Sequence, residues 1–157
     1  MSEVAVSLDV NGRPTRASIS ARATLLDLLR DTLGLTGAKR GCNMGACGAC
    51  AVLLDGRVVH ACLVLAALCD ARSVTTIEGL GQDGRLAALQ QAFVDHGAVQ
   101  CGFCIPGMII AATALLAEIP NPTTEEIRAG LGGNLCRCSG YVKIVEAVAA
   151  VAAGARS

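Results

Sequence analysis

At 157 residues, 53% hydrophobic and 17% charged, the chain has material for a real core in one domain or two small ones. Its Lys plus Arg total of 13 equals its Asp plus Glu total of 13, which leaves no basic footprint for nucleic acid. The same balance lacks the surplus of one sign that steers a freely diffusing carrier to its partners, and suits a permanent subunit better. Residues 1–9 show no basic region, apolar segment or twin arginine of a leader. The alanine-rich runs are broken before they reach the length needed to span a bilayer. A cytoplasmic protein is expected, and there nine cysteines are better suited to metal than to disulfides.

Val4, Val6, Leu8 and Val10 alternate with polar or small residues, the period of a half-buried strand. Asn11-Gly12 predicts a tight hairpin turn into a second strand through Thr15, Ala17 and Ile19. Leucines at 25, 26, 28, 29 and 33 predict a helix over 24–33, capped by Thr24 with Asp27 three residues on and stopped by Gly34 and Gly37. Residues 51–54 and 57–61 read as strands around an Asp55-Gly56 turn. The apolar run 63–69 predicts a short helix, and 74–77 a last strand. Together these predict a small mixed sheet with a helix across it, an α+β unit.

Residues 78–84, rich in glycine and turn formers, are expected to be the joint between units 1–78 and 79–157. Beyond Arg85 the pattern becomes helical. Leu86, Leu89, Phe93 and Val94 mark one apolar stripe, and residues 106–119 a second segment with proline in its first turn. Thr123 and Glu126 form a capping box for a third, ending at 130–133. Ile144, Val145, Val148 and Val151 mark a fourth, so an all-α four-helix bundle is expected.

The chemistry lies in the cysteines. Cys42, Cys47 and Cys50 are spaced C-x4-C-x2-C, with Cys62 twelve residues further on. This is the plant-type [2Fe–2S] spacing. Four thiolates must converge on a small inorganic core, so the loop has to curl. Gly41, Gly45 and Gly48 are expected to supply positive φ and to let N–H groups approach the sulfurs. A zinc loop fits less well, because every gap here carries a glycine. Cys62 ends a strand that returns to the loop, whereas Cys69 sits in an apolar run and is expected as a buried free thiol.

A second set, Cys101-x2-Cys104 and Cys136-x-Cys138, places each pair before a predicted helix. Helix N-terminal N–H groups there would lower thiol pKa values and favour an anionic centre. A thioredoxin-type motif lacks its βαβ context here. A structural zinc remains an alternative reading of the four cysteines taken alone. With the first set upstream, two [2Fe–2S] clusters are the better reading.

At this point the chain resembles the small iron–sulfur subunit of the xanthine oxidase family of molybdenum hydroxylases. The resemblance rests on 41–50, Cys62, 100–108 (Gln-Cys-Gly-Phe-Cys-Ile-Pro-Gly-Met) and 133–141 (Gly-Asn-Leu-Cys-Arg-Cys-Ser-Gly-Tyr). It implies a ferredoxin-like β-grasp domain followed by a helical [2Fe–2S] domain. It implies a large partner subunit with molybdenum and a pterin, a medium partner with FAD, and assembly as a dimer of heterotrimers. Electrons would pass from molybdenum to Cys101, Cys104, Cys136 and Cys138, then to Cys42, Cys47, Cys50 and Cys62, then to FAD. Gln100 and Cys138 would lie against the pterin. Substrate chemistry would belong to the large subunit, with no catalytic residue on this chain. Gly140-Tyr-Val-Lys-Ile144 leans toward the branches acting on aromatic acyl-CoA thioesters and N-heterocycles.

Other features invite over-reading. Gly79-x-Gly81-x-x-Gly84 lacks a βαβ unit and is read as part of the joint. His60 and His96 are isolated and unneeded as ligands. Arg137, and with less force Lys39 and Arg40, would place positive charge beside an anionic centre.

Overall fold

The computed structural model describes residues 2–81, 84 and 87–154. Strands β1 (Glu3–Val10) and β2 (Arg13–Ser20) pair antiparallel in the register Val4↔Ile19 and Val6↔Ala17. Asn11 at φ 56° and Gly12 at φ 76° make the turn, both left-handed as a two-residue hairpin requires. A second hairpin, β3 (Ala51–Leu54) and β4 (Arg57–His60), turns through Asp55 and Gly56 in the same way. Neither hairpin touches the other until β5 (Ser73–Thr75) enters between them, parallel to β1 and antiparallel to β3. The resulting mixed sheet has the order β2-β1-β5-β3-β4.

Val6, Leu8 and Val10 turn one face of β1 inward, onto a helix that begins at Leu25. Thr24 caps it reciprocally: its Oγ1 accepts from the Asp27 N–H at 3.1 Å, and its own N–H donates to Asp27 Oδ2 at 2.7 Å. The expected single α-helix is not what forms. One α-turn, α1 (Leu25–Asp27), widens into a π-turn over Leu28–Thr32. Leu25, Leu26, Leu28 and Leu29 are all fully buried, a face broader than a regular α-helix presents to one sheet. The Arg30 guanidinium ties the wide end down by donating to the carbonyls of Thr36 and Ala38. Each such leucine is worth about 1.5–3 kcal/mol of burial.

Residues 63–69 also depart from expectation. Only Ala66–Cys69 coil, as a single 3₁₀ turn. Leu63 closes a turn on the His60 carbonyl, and the chain from there to the extended Leu65 is held by 23–25: Leu25 donates to the Val64 carbonyl at 2.7 Å and Ala66 to that of Ala23 at 2.9 Å. Leu63 and Leu68 are left facing outward.

The expected joint is structured where it can be described. Thr76 is fully buried, bonded to Asn11 through both its N–H and its hydroxyl, and Glu78 accepts from the Gly37 N–H. Gln82 and Asp83 of the G-x-G-x-x-G match, and Arg85 and Leu86 of the next expected stripe, lie outside the described residues.

Helices α2 (Ala88–Asp95), α3 (Ile105–Glu118), α4 (Thr124–Gly130) and α5 (Val142–Gly154) follow. Pro106 occupies the first turn of α3, and the Thr123–Glu126 capping box opens α4. Phe93, Met108, Ile127, Ile144 and Val148 fill a second core. Val94, expected in the apolar stripe, is instead exposed: Leu89 and Phe93 already take the inward positions of this short helix. Ile110 points the other way, against Ala51 and Leu53 of β3, so α3 seats the helices on the sheet. The fold is α+β, and among the described residues no helix is long and apolar enough to cross a membrane.

Candidate metal centres

The first cysteine loop curls through left-handed residues at Asn43 (φ 57°), Gly45 (φ 76°) and Gly48 (φ 71°). Gly41 is not among them, contrary to expectation. Its role is close approach: a Cβ there would lie 2.8 Å from Cys47 Sγ. With the backbone so folded, N–H groups aim at sulfur. Cys42 donates to Cys47 Sγ at 3.4 Å, while Met44 and Ala46 donate to Cys42 Sγ at 3.4 and 3.3 Å. The Met44 N–H leads in drawing the Cys42 thiol down to about 6. The β3–β4 hairpin brings Cys62 beside Cys50, closed by the Ala61 N–H on the Cys50 carbonyl at 3.3 Å. Burial pushes the Cys50 thiol up to about 11, and the neighbouring Cys62 thiol adds to the rise. Cys69 lies apart in the sheet core, fully buried, its thiol directed at the Leu65 carbonyl 3.8 Å away.

The second set meets where α3 and the turn before α5 converge. Cys104 is the N-cap of α3, and its thiol, pushed up to about 12 by burial, lies beside that of Cys136, which adds to the rise. Cys101 and Cys138, both exposed, face each other with their sulfurs 3.5 Å apart. At Cys136, burial raises the thiol pKa, but the Ser139 hydroxyl at 3.2 Å and N–H at 3.5 Å outweigh it and bring it to about 7. The donors at Cys136 are thus a local turn, not the helix end that the sequence suggested. Gly140 (φ 62°) and Tyr141 (φ 69°) fold this turn back, so that the Tyr141 hydroxyl accepts from the Cys136 N–H at 2.9 Å. Gln100 is brought to Cys138, donating from Nε2 to its carbonyl at 3.3 Å.

Sequence reasoning missed Ser139, Tyr141 and Asn134. Their only signal was adjacency to Cys136 and Cys138. The cations are also placed. Lys39 Nζ is spent on the carbonyls of Thr36 and Gly37, and Arg40 pairs with Asp27 at 2.7 Å and Asp31 at 3.3 Å. Arg137 is exposed between its cysteines. His60 Nδ1 is buried without a hydrogen-bond partner, two residues before Cys62. His96 ends α2.

Among the described residues, no group of three or more His, Cys, Asp and Glu side chains is drawn in to hold a metal ion. The sulfurs come together in pairs instead: Cys42 with Cys47, Cys50 with Cys62, Cys101 with Cys138, Cys104 with Cys136. Two pairs per set, one for each iron, fit a two-iron centre, and N–H donors on sulfur fit its anionic charge.

A fold of a small mixed sheet and packed helices, with paired cysteines in N–H-lined loops, defines a [2Fe–2S] iron–sulfur protein. The comparisons agree. Residues 8–87 match the 2Fe-2S iron-sulfur cluster binding domain, and residues 76–149 the [2Fe-2S] binding domain. The nicotinate dehydrogenase small FeS subunit of Eubacterium barkeri is 47% identical, covering 94% of each chain. The nicotine 6-hydroxylase small subunit of Paenarthrobacter nicotinovorans is 52% identical, covering 92% of this chain and 87% of that one. Among solved structures, quinoline 2-oxidoreductase from Pseudomonas putida 86 superposes with a TM-score of 0.95 at 45% identity, over 98% of this chain and 96% of that chain. The chain belongs to the small iron–sulfur subunits of the xanthine oxidase family of oxidoreductases.

Proposed function

We propose that this chain is the electron-transfer subunit of a molybdenum hydroxylase or dehydrogenase and carries two [2Fe–2S] clusters. Cys42, Cys47, Cys50 and Cys62 hold the first; Cys101, Cys104, Cys136 and Cys138 hold the second. Each group, when bound, supplies one-electron transfer. The observation that carries the reading is the pairing of all eight sulfurs, two pairs to a set, with Cys69 left out.

The remaining parts of the reading follow from this one. The boundary falls at residues 78/79, between a β-grasp domain and a four-helix bundle; the two main cores lie on either side of it apart from Ile77, which packs against the second. Electrons enter at Cys101, Cys104, Cys136 and Cys138 from a large molybdenum–pterin subunit. They leave from Cys42, Cys47, Cys50 and Cys62 toward a medium FAD subunit. The exposure of Cys101 and Cys138, beside exposed Phe103 and Leu135, supports a partner covering the second set. Gln100 faces the pterin with Cys138, and its bond to the Cys138 carbonyl keeps both on one surface. Substrate conversion belongs to the large subunit, and the assembly is a dimer of heterotrimers in the cytoplasm. Relatives named for nicotinate, nicotine and quinoline favour an N-heterocyclic substrate.

The test is coexpression with a molybdopterin-type and an FAD-type chain encoded beside it, followed by anaerobic purification. A brown complex of three subunits, with two iron and two sulfide per cluster and two distinct EPR signals, is expected. A colourless zinc protein, or one that purifies alone and fully active toward a reductase, overturns the proposal.

A further inference from the structure

Asn134 is a polar side chain only 6% exposed, lying two residues before Cys136. Asparagine in a turn usually bonds its own backbone a residue or two away. Here Nδ2 reaches across 86 residues of sequence to donate to the Gly48 carbonyl at 3.1 Å, a buried contact. Gly48 is the residue after Cys47, and the loop before Cys136 is joined there a second time: the Leu135 N–H donates to the Cys47 carbonyl at 2.9 Å.

The packing allows nothing larger. A Cβ at Gly48 would come within 2.5 Å of both Asn134 Nδ2 and the Gly133 carbonyl. A Cβ at Gly107, on α3, would strike the Gly48 carbonyl and lie 3.1 Å from Asn134 Nδ2. Phe103, between Cys101 and Cys104, also reaches the first loop, its ring 3.5 Å from where a Cβ on Gly41 would stand. The two cysteine loops therefore meet along one seam. Cys47 of the first set and Cys136 of the second are separated by the peptide of Leu135 and a single hydrogen bond.

We infer that Asn134 is a positioning residue: its carboxamide clamps the two cysteine loops together at Gly48 and so sets the spacing and contact across which single electrons pass. The inference rests on the two-cluster reading above. Each transfer oxidises one centre as it reduces the other, with no atom moved. Tunnelling falls off exponentially with the gap and less steeply through bonded atoms, so a small loosening of this seam matters more than its size suggests.

The test uses the assembled complex with Asn134→Asp, which keeps the shape but turns a donor into an acceptor facing the Gly48 carbonyl, and with Asn134→Ala. Iron and acid-labile sulfide are counted, and the fully reduced samples are examined by EPR at low temperature for spin–spin splitting between the two centres. Both variants should keep wild-type iron and both signals, with the splitting lost or visibly changed. Unchanged splitting at full iron overturns the inference. Failure of both variants to load either centre also overturns it, because Asn134 would then serve folding alone. A wild-type protein without two distinct centres sinks the underlying reading instead, so the two failures are separable.

Discussion

The choice between Cys62 and Cys69 shows how much one side chain's surroundings decide. Both are buried, both follow the β3–β4 hairpin, and six residues separate them. Cys62 leaves the hairpin on the side of the cysteine loop, with its thiol beside that of Cys50. Cys69 ends a 3₁₀ turn inside the sheet core, where burial raises its pKa and its thiol is directed at the Leu65 carbonyl. Thiolate formation there would be opposed by desolvation. Cys62→Ser should therefore abolish the ferredoxin-type EPR signal and the matching part of the visible absorption. Cys69→Ser should keep both centres at full iron. A lost signal in the Cys69 variant would move the fourth ligand.

Among the elements, α3 carries the most constraint. Its first turn holds Cys104 as N-cap and Pro106, its inner face fills the helical core through Met108, and Ile110 locks onto β3. Gly107 lies where that helix passes the first cysteine loop. Helix propensity alone favours alanine over glycine by about 1 kcal/mol. The contact with the Gly48 carbonyl reverses the sign, because backbone cannot step aside as a flexible side chain can. Overpacking of this kind costs about 1–3 kcal/mol. Gly107→Ala should lower the melting temperature of the loaded protein, against the usual trend for such a change. A rise in melting temperature would show that α3 can shift away from the loop. The widened turn after α1 has the same character: propensity asks for a continuous helix, and the need to bury four leucines at one sheet decides otherwise.

Across the whole molecule, the two sets differ in shelter. Cys50 and Cys62 are buried, at 2% and 6% exposure, whereas Cys101 and Cys138 are open to solvent. Exposed thiolate sulfur is the more readily oxidised. If the chain is separated from its partners and held in air, the EPR signal of the second centre should fade before that of the first. Within the assembled complex the difference should shrink, since a partner would cover Cys101 and Cys138. Equal decay in the free chain would contradict this. Outward-facing Met44 in the first loop and Leu63 against its Gly45 are further exposed apolar side chains of the kind that subunits cover.

Much of this was legible in the residues. The hairpin at Asn11-Gly12, the caps at Thr24 and Thr123, and the proline start of α3 are local chemistry, settled within a few residues of chain, and they stand as read. The spacing of the first cysteines pointed to the [2Fe–2S] domain that residues 8–87 match, because a short loop around a small inorganic core leaves few alternatives. What no local pattern could reveal is set by contacts far apart in sequence. The non-helical path of 63–65 depends on 23–25, the exposure of Val94 on which positions of α2 face the core, and the bond from Asn134 to Gly48 on a seam between distant loops. A side chain's partner across such a distance is decided only when the chain has packed, since burial and steric exclusion act on whatever the fold brings together.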